Sequence, residues 1–329
     1  MALAGLLSAV DGWWPASQSD QDAVLESLLG QQLGILKPQH HFCVEFGFAT
    51  GEPGSNSWSL RKNTRTGNDI RRVAQLFGAD MAKHKPYRKS WRCMLMDASR
   101  VSGKPLGNYA NSSFTVRTMV HSTNIASLFA ENGVPKDVDY VSIDIDSADI
   151  WVLQALLTAG WRPLVISVEY NPNFPATTSP IVYPDPKRHG FAGDYTYTGW
   201  NHTCFLGSSA RALEEMMVAH DYALTNVSLG FDLFFVRGDA WRPRPILTSV
   251  PGRANHVPTQ RCFSPRGMYH QEAANYLSWS ALQGGETVCR ARLQAHRVLR
   301  ELATAEGTCK KCFSRLQTMP VGLGTPACP

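Results

Sequence analysis

Carboxylates recur in this 329-residue chain where apolar runs end, the places at which a buried strand can present charge to a ligand. Glu45 lies in H-F-C-V-E-F-G, Asp97 closes W-R-C-M-L-M-D, Asp144 and Asp146 close D-Y-V-S-I-D-I-D, and Glu169 closes P-L-V-I-S-V-E. Acids so placed can bind a divalent cation or take a proton from a substrate hydroxyl. A single acid there needs no ligand to explain it, because strand ends reach water; several such ends in one chain favour a ligand. Asp144 and Asp146 stand two apart, so on a strand their side chains would project the same way. With Asp149 or Glu169 they could hold a divalent cation, or one of them could act as general base. The structural alternative is that Asp146 or Ser147 caps a helix beginning near Ala148. His189 and His202 are further candidate bases. Both lie in the stretch from Asn171 to Phe205, with Tyr183, Tyr195, Tyr197 and Trp200, a long loop suited to a substrate lid. Histidines in loops are more often plain surface residues.

The elements that must position these groups alternate. A helix is expected over 19–36, capped by Ser19 or Asp20 and stopped by Pro38. Strands are expected at H-F-C-V-E-F, W-R-C-M-L-M-D, F-T-V-R-T-M-V, D-Y-V-S-I-D and P-L-V-I-S-V-E. Helices are expected near 124–132, capped by Ser122 or Thr123, and over D-I-W-V-L-Q-A-L-L-T-A-G, stopped by Gly160. After a further helix in S-S-A-R-A-L-E-E-M-M-V-A-H-D-Y, Y-A-L-T-N-V-S-L and F-D-L-F-F-V-R read as two strands joined at Gly230. Alternating strands and helices predict a parallel sheet, and the closing strand pair predicts an antiparallel hairpin at its edge. The expected organisation is an N-terminal helical segment at 1–40, an α/β domain at 41–240 and a cysteine-containing extension at 241–329, with an amphipathic helix near 286–304.

The segment E-F-G-F-A-T-G (Glu45–Gly51), with M-L-M-D, S-I-D-I-D-S and F-D-L-F-F-V-R in that order, resembles the FkbM-like S-adenosylmethionine (SAM)-dependent methyltransferases over about residues 40–237. The resemblance implies an open, mainly parallel, seven-stranded Rossmann-like sheet and a SAM site. In it, Gly47 and Gly51 would let the backbone approach the cofactor, and Asp97 would accept hydrogen bonds from the ribose hydroxyls. Glu45 would orient the turn or hold the cofactor's amino group. Asn56 would cap the next helix or touch the cofactor. Asp144 would lie beside the transferred methyl and Asp146 nearer the substrate. Ser147 stands where a glycine is usual in that pattern. A nicotinamide-binding fold competes, but the glycine spacing is not G-x-G-x-x-G.

Hydrophobic residues make up 43% and charged residues 18%, ordinary for a folded soluble domain, and no apolar run reaches the length of a membrane span. The net charge is +5, yet ten Lys/Arg between Arg61 and Arg92 face only Asp69 and Asp80, giving that basic insertion +8. Such a field favours an anionic partner: an acidic glycan or small-molecule substrate, or nucleic acid. A solvated insertion would carry the same charge. A non-catalytic polyanion-binding protein on the same fold is the alternative to an O-methyltransferase. Cys43, Cys93 and Cys204 read as small core residues. Cys262, Cys289, Cys309, Cys312 and Cys328 cluster in the last 70 or so residues, where disulfides, a zinc site and free thiols are all open. Sequons at Asn111, Asn201 and Asn226 are compatible with a secretory route, and the compartment, cytoplasm or secretory lumen, stays open.

Overall fold

The computed structural model describes residues 21–29, 36–47, 55–57, 60, 91–98, 113–174, 180–189, 207–228, 232–241 and 276–304. Helix α1 (Gln21–Leu29) precedes strands β1 (Phe42–Phe46), β2 (Arg92–Asp97) and β3 (Phe114–Arg117). Helix α2 (Ile125–Glu131), β4 (Tyr140–Ile143), α3 (Asp149–Thr158), β5 (Val165–Glu169) and the short β6 (Ile181–Val182) follow. The chain then runs through α4 (Ala210–Ala219), β7 (Tyr222–Val227), β8 (Asp232–Arg237), β9 (Leu277–Ser278), α5 (Trp279–Gln283) and α6 (Val288–Thr304). Seven strands form one sheet in the order β3-β2-β1-β4-β5-β8-β7. The pairs β1–β2, β1–β4 and β2–β3 are parallel, while β8 runs antiparallel to both β5 and β7. The expected Rossmann-like α/β sheet with its antiparallel hairpin is therefore observed. Among the described residues no helix is long and apolar enough to cross a membrane.

Burial follows position in the sheet. Strands β1 and β4 are buried at every residue, and β2, β5 and β8 are buried except at their ends, as strands covered on both faces must be. The edge strands are less covered: β3 alternates half-buried and exposed residues, and β7 mixes buried and half-buried ones. Two compact units divide the chain: Met1–Thr118 with Val138–Ser142, and Met119–Asp137 with Ile143–Pro329.

In the first unit, Asp139 clamps the entry to β1. Its carboxylate accepts from the backbone N–H of Gln39 (2.6 Å), His40 (3.0 Å) and Phe42 (3.1 Å), so three donors surround an acid only 1% exposed. Cys43 and Cys93 are fully buried, as expected of core residues, but they are not separate thiols. Register neighbours on β1 and β2, with Cα atoms 4.5 Å apart, they form a disulfide. Lateral adjacency in a parallel pair, invisible to spacing along the chain, brings them within bridging distance.

In the second unit, helix α3 ends as its sequence requires: Gly160 adopts φ +86°, and the N–H of Trp161 donates back to Leu156 O at 3.3 Å. Helix α4 is capped by Ser209, whose hydroxyl accepts from Ala212 N–H. Helix α2 departs from expectation. Neither Ser122 nor Thr123 caps it; the N-cap is Asn124, whose side chain instead accepts from His121 N–H at 2.8 Å. Ser122 is drawn away by a buried acid, Asp185, to which its hydroxyl donates. The extension joins this unit: β9 pairs antiparallel with β6, and Trp279 packs 5.5 Å from Trp151 of α3. Cys289 is disulfide-bonded, which removes it from any zinc site. Residues 61–90, Gly230, Cys204, Cys262, Cys309, Cys312, Cys328, Asn111 and Asn201 lie outside the described residues.

The β1–β2 disulfide spans 50 residues, for which loop-closure entropy predicts a contribution of about 4 kcal/mol to stability. Cys43→Ala/Cys93→Ala is expected to lose at least about 2 kcal/mol in urea unfolding monitored by fluorescence. An unchanged midpoint would show that the bond contributes nothing.

Candidate functional site

Two groups of polar residues occupy the strand ends. In the first unit, Gly47 follows β1 at φ +65°, a conformation that favours glycine, and its N–H donates to Met96 O at 3.0 Å. The residue after Met96 is Asp97, half-buried at the end of β2. A strand-end carboxylate of this kind could accept hydrogen bonds from a ligand's hydroxyls, and the glycine beside it carries no side chain to block the approach. Glu45 is 3% exposed and fully engaged. Its carboxylate accepts from Ser55 Oγ (2.7 Å), Asn56 N (2.8 Å), Ser57 N (3.1 Å) and Ser57 Oγ. Glu45 thereby fixes residues 55–57; the rest of the glycine turn it was expected to orient, 48–51, lies outside the described residues. Asn56 in turn donates from its side-chain nitrogen to Ser142 Oγ of β4 at 3.0 Å. Gly51 lies outside the described residues.

In the second unit, Asp144, Asp146 and Glu169 converge, with one carboxylate oxygen from each within 4.8 Å of the others. The route differs from the expected one. Strand β4 ends at Ile143, so the two-residue period of a strand does not align Asp144 with Asp146. Instead Asp146 takes φ +62°, a left-handed conformation that aspartate tolerates better than most residues. Asp149, 1% exposed in the first turn of α3, holds that turn: its carboxylate accepts from Ile145 N (2.7 Å) and Ser147 N (3.0 Å). Neither Asp146 nor Ser147 caps α3. The N-cap is Ala148 without a side-chain bond, and Asp149 supplies the acidic group from inside the helix.

Sequence reasoning missed one member, Asp232. It begins β8 directly across from Glu169 and is 1% exposed. The signal was a charge at the mouth of the apolar strand F-D-L-F-F-V-R. Its meaning depends on β8 pairing with β5, a contact between residues 63 positions apart.

The electrostatics follow from this crowding. Burial, then the charge of Asp146, then those of Asp232 and Asp149, push the Asp144 carboxyl well above its ordinary range. Burial and the charge of Asp144 do the same to Glu169, and the Asp144 and Glu169 side chains are hydrogen-bonded to each other. Burial likewise lifts Asp149 to about 7, against the lowering effect of its backbone donors. Two full negative charges 4–5 Å apart repel by about 4 kcal/mol at an effective dielectric of ~20. Holding a proton on a carboxyl about three pH units above its ordinary range costs about the same. Burial adds to the repulsion, so both carboxyls are pushed toward their protonated forms, and a proton shared between Asp144 and Glu169 would relieve both. The same oxygens could hold a hard divalent cation, which takes such carboxylate sets.

His189 stands apart from these acids. Its Nδ1 accepts from Asp185 N–H at 2.9 Å, its ring lies 4.8 Å from that of Trp151, and the charges acting on it are Asp185 and Arg188. His202 lies outside the described residues.

The raised carboxyls fix a sign. A carboxyl whose folded pKa exceeds its unfolded value stabilises the fold fully below the unfolded pKa, and the contribution is lost as pH rises through the folded one. For Asp149 that window runs from 3.8 to about 7. His121, His189 and His220, all lowered chiefly by burial, oppose the trend below pH 6.5. The comparison is therefore with a neutral variant, in which these histidines cancel: as pH rises above the ordinary carboxyl range, wild type should lose thermal stability relative to Asp144→Asn. Parallel pH profiles would show that the cluster is not strained by charge.

The sequence matches no protein-family model and no curated protein, so the sheet and its strand-end acids are what bear on function.

Proposed function

We propose that this chain is a SAM-dependent methyltransferase of the FkbM-like kind, acting on a hydroxyl oxygen of a small-molecule or glycan acceptor. The observation that carries this reading is the strand order. It reverses direction between β1 and β4, and in open α/β sheets ligands bind outside the carboxyl ends of the strands at that switch point. The strands that flank it are followed by Gly47 and Asp144. The antiparallel β8 between β5 and β7 is the hairpin the methyltransferase resemblance implies.

Gly47 and Asp97 would hold the cofactor, the first by leaving room for it and the second through its ribose hydroxyls. Bound there, the cofactor supplies an already activated methyl group. What remains for the protein is alignment and removal of the acceptor's proton. The Asp144–Glu169 pair suits proton removal. Burial and the neighbouring charges raise both carboxyls above the ordinary carboxylate range, so an ionised member of the pair is a stronger base than a solvated carboxylate. The carboxylate would take the acceptor's hydroxyl proton, leaving the oxygen to accept the methyl group that the bound cofactor would supply.

Calorimetric titration with SAM and S-adenosylhomocysteine tests this directly. Wild type should bind, Asp97→Ala should bind roughly 10- to 100-fold more weakly for loss of charge-assisted hydrogen bonds, and Asp144→Asn should bind as wild type does. Repeating the titration with Mg2+ or Mn2+ separates a proton-accepting cluster, indifferent to the ion, from one that holds it. Absence of cofactor binding by folded wild type sinks the reading, and steeply salt-dependent binding to heparin would then favour the polyanion-binding alternative.

A further inference from the structure

Strand β7, Tyr-Ala-Leu-Thr-Asn-Val, is the outermost of the described strands on its side of the sheet, and it carries neither a charged residue nor a proline. An uncharged outer strand offers its open backbone groups to another chain. Folded proteins block such edges with charge, proline, a bulge or a cover. One of these devices is present, a register shift against β8 between Leu224 and Asn226. At the far side of that shift stands Asn226, a residue type depleted in strands. It is half-buried, and its carboxamide makes no hydrogen bond among the described residues. Elsewhere the fold puts asparagine side chains to use: Asn56 donates to Ser142 Oγ at 3.0 Å, Asn132 to Leu128 O at 2.8 Å, and Asn124 accepts from His121 N–H at 2.8 Å. An asparagine that neither suits its strand nor bonds to the protein needs a different explanation.

Asn226-Val227-Ser228 is an N-x-S triplet, the acceptor of N-linked sugars. Such triplets also arise by chance, so an independent observation must place the chain where sugars are attached. The cysteines supply it. Cys43, Cys93 and Cys289, the described cysteines, are all disulfide-bonded. Cys43 and Cys93 are 0% exposed between paired central strands, so their bond forms before or as the sheet closes rather than by late oxidation at a surface. Disulfides of that kind belong to oxidising compartments and are rare in the cytosol. Ser228 is also 0% exposed, which dates any sugar transfer to the time before β7 pairs with β8, when the whole triplet is accessible. Once the strands pair, a glycan on half-buried Asn226 becomes the bulky, hydrophilic cover that an uncharged edge lacks.

We propose that Asn226 is an N-glycosylation site, filled in the oxidising compartment where the Cys43–Cys93 bond forms, and that its glycan shields the outer edge of β7. In the transfer, Asn226 Nδ2 bonds to the anomeric carbon of an oligosaccharide carried on a lipid-linked diphosphate. The bond from that carbon to the diphosphate oxygen breaks, and the diphosphate leaves with the proton that the amide gives up. The proposal stands independently of the methyltransferase reading.

The test is peptide mapping by mass spectrometry of the full chain, isolated from the cells that make it with thiols blocked at lysis. Digestion with an N-glycosidase in heavy-oxygen water should label Asn226, and the Cys43 and Cys93 peptides should be recovered joined. A bare Asn226 in chains that carry the joined peptides overturns the site. Blocked thiols at Cys43 and Cys93 overturn the compartment on which it depends. A second arm follows the edge: enzymatic removal of the glycan from the folded protein, and separately Asn226→Gln, should raise the apparent mass in light scattering as concentration increases. Scattering unchanged by both treatments overturns the shielding role. No arm involves SAM, so a failure here is distinct from a failure to bind the cofactor.

Discussion

The organising constraint is the crowding of carboxylates, two buried and three half-buried, among the turn after Ile143, β5, β8 and α3. Asp144, Asp146, Asp149, Glu169 and Asp232 crowd a region in which the charges acting on Asp144 and Glu169 are other carboxylates. Such an arrangement is costly in a fold whose total stability is only about 5–15 kcal/mol, and it persists only because each acid is held by something else. Asp149 is fixed by two backbone donors, Asp232 and Glu169 by ladder pairing, and Asp146 by the left-handed turn that Asp149 closes. A proton shared between Asp144 and Glu169 would relieve the crowding, and it is this proton that would connect the packing to the proposed chemistry. Strain of this kind gathers at functional sites because a group held away from its ordinary protonation state is ready to exchange protons.

The remaining architecture supports strand ends. Asp139 and the Cys43–Cys93 bond secure the strands that lead to Gly47 and Asp97. Glu45, by contrast, is spent on local order: four donors saturate it, and it holds residues 55–57 in place. Asp139 is likewise saturated by backbone N–H groups. Asp97 sits half-buried at its strand end, and Asp144 is surrounded by other acids.

Much of the sheet could be read from the chain because central strands must be uniformly apolar and end on polar groups. Arg92–Asp97 and Asp232–Arg237 show this plainly. The C-terminal stop at Gly160 was equally legible, since a helix ending in a left-handed residue selects glycine. What escaped depends on contacts between distant segments. The Cys43–Cys93 pairing needs the register of two parallel strands, and Asp232 joins the cluster only because β8 inserts beside β5. Asp144 and Asp146 do belong together, but for a different reason from the expected one: they meet through a turn rather than along a strand. Ser122 was a sound helix cap by residue type, but a buried carboxylate 63 residues away competes for its hydroxyl and wins.

Infrared difference spectroscopy at about pH 7.5, comparing wild type with Asp144→Asn and Glu169→Gln, probes the shared proton itself. The wild-type protein should show the C=O stretch of a protonated carboxylic acid well above the pH at which ordinary carboxyls have ionised, and both variants should lose or displace it. A wild-type spectrum with carboxylate bands alone, unchanged in character by either substitution, would contradict the proposal that this buried pair holds a proton and acts as the acceptor of another.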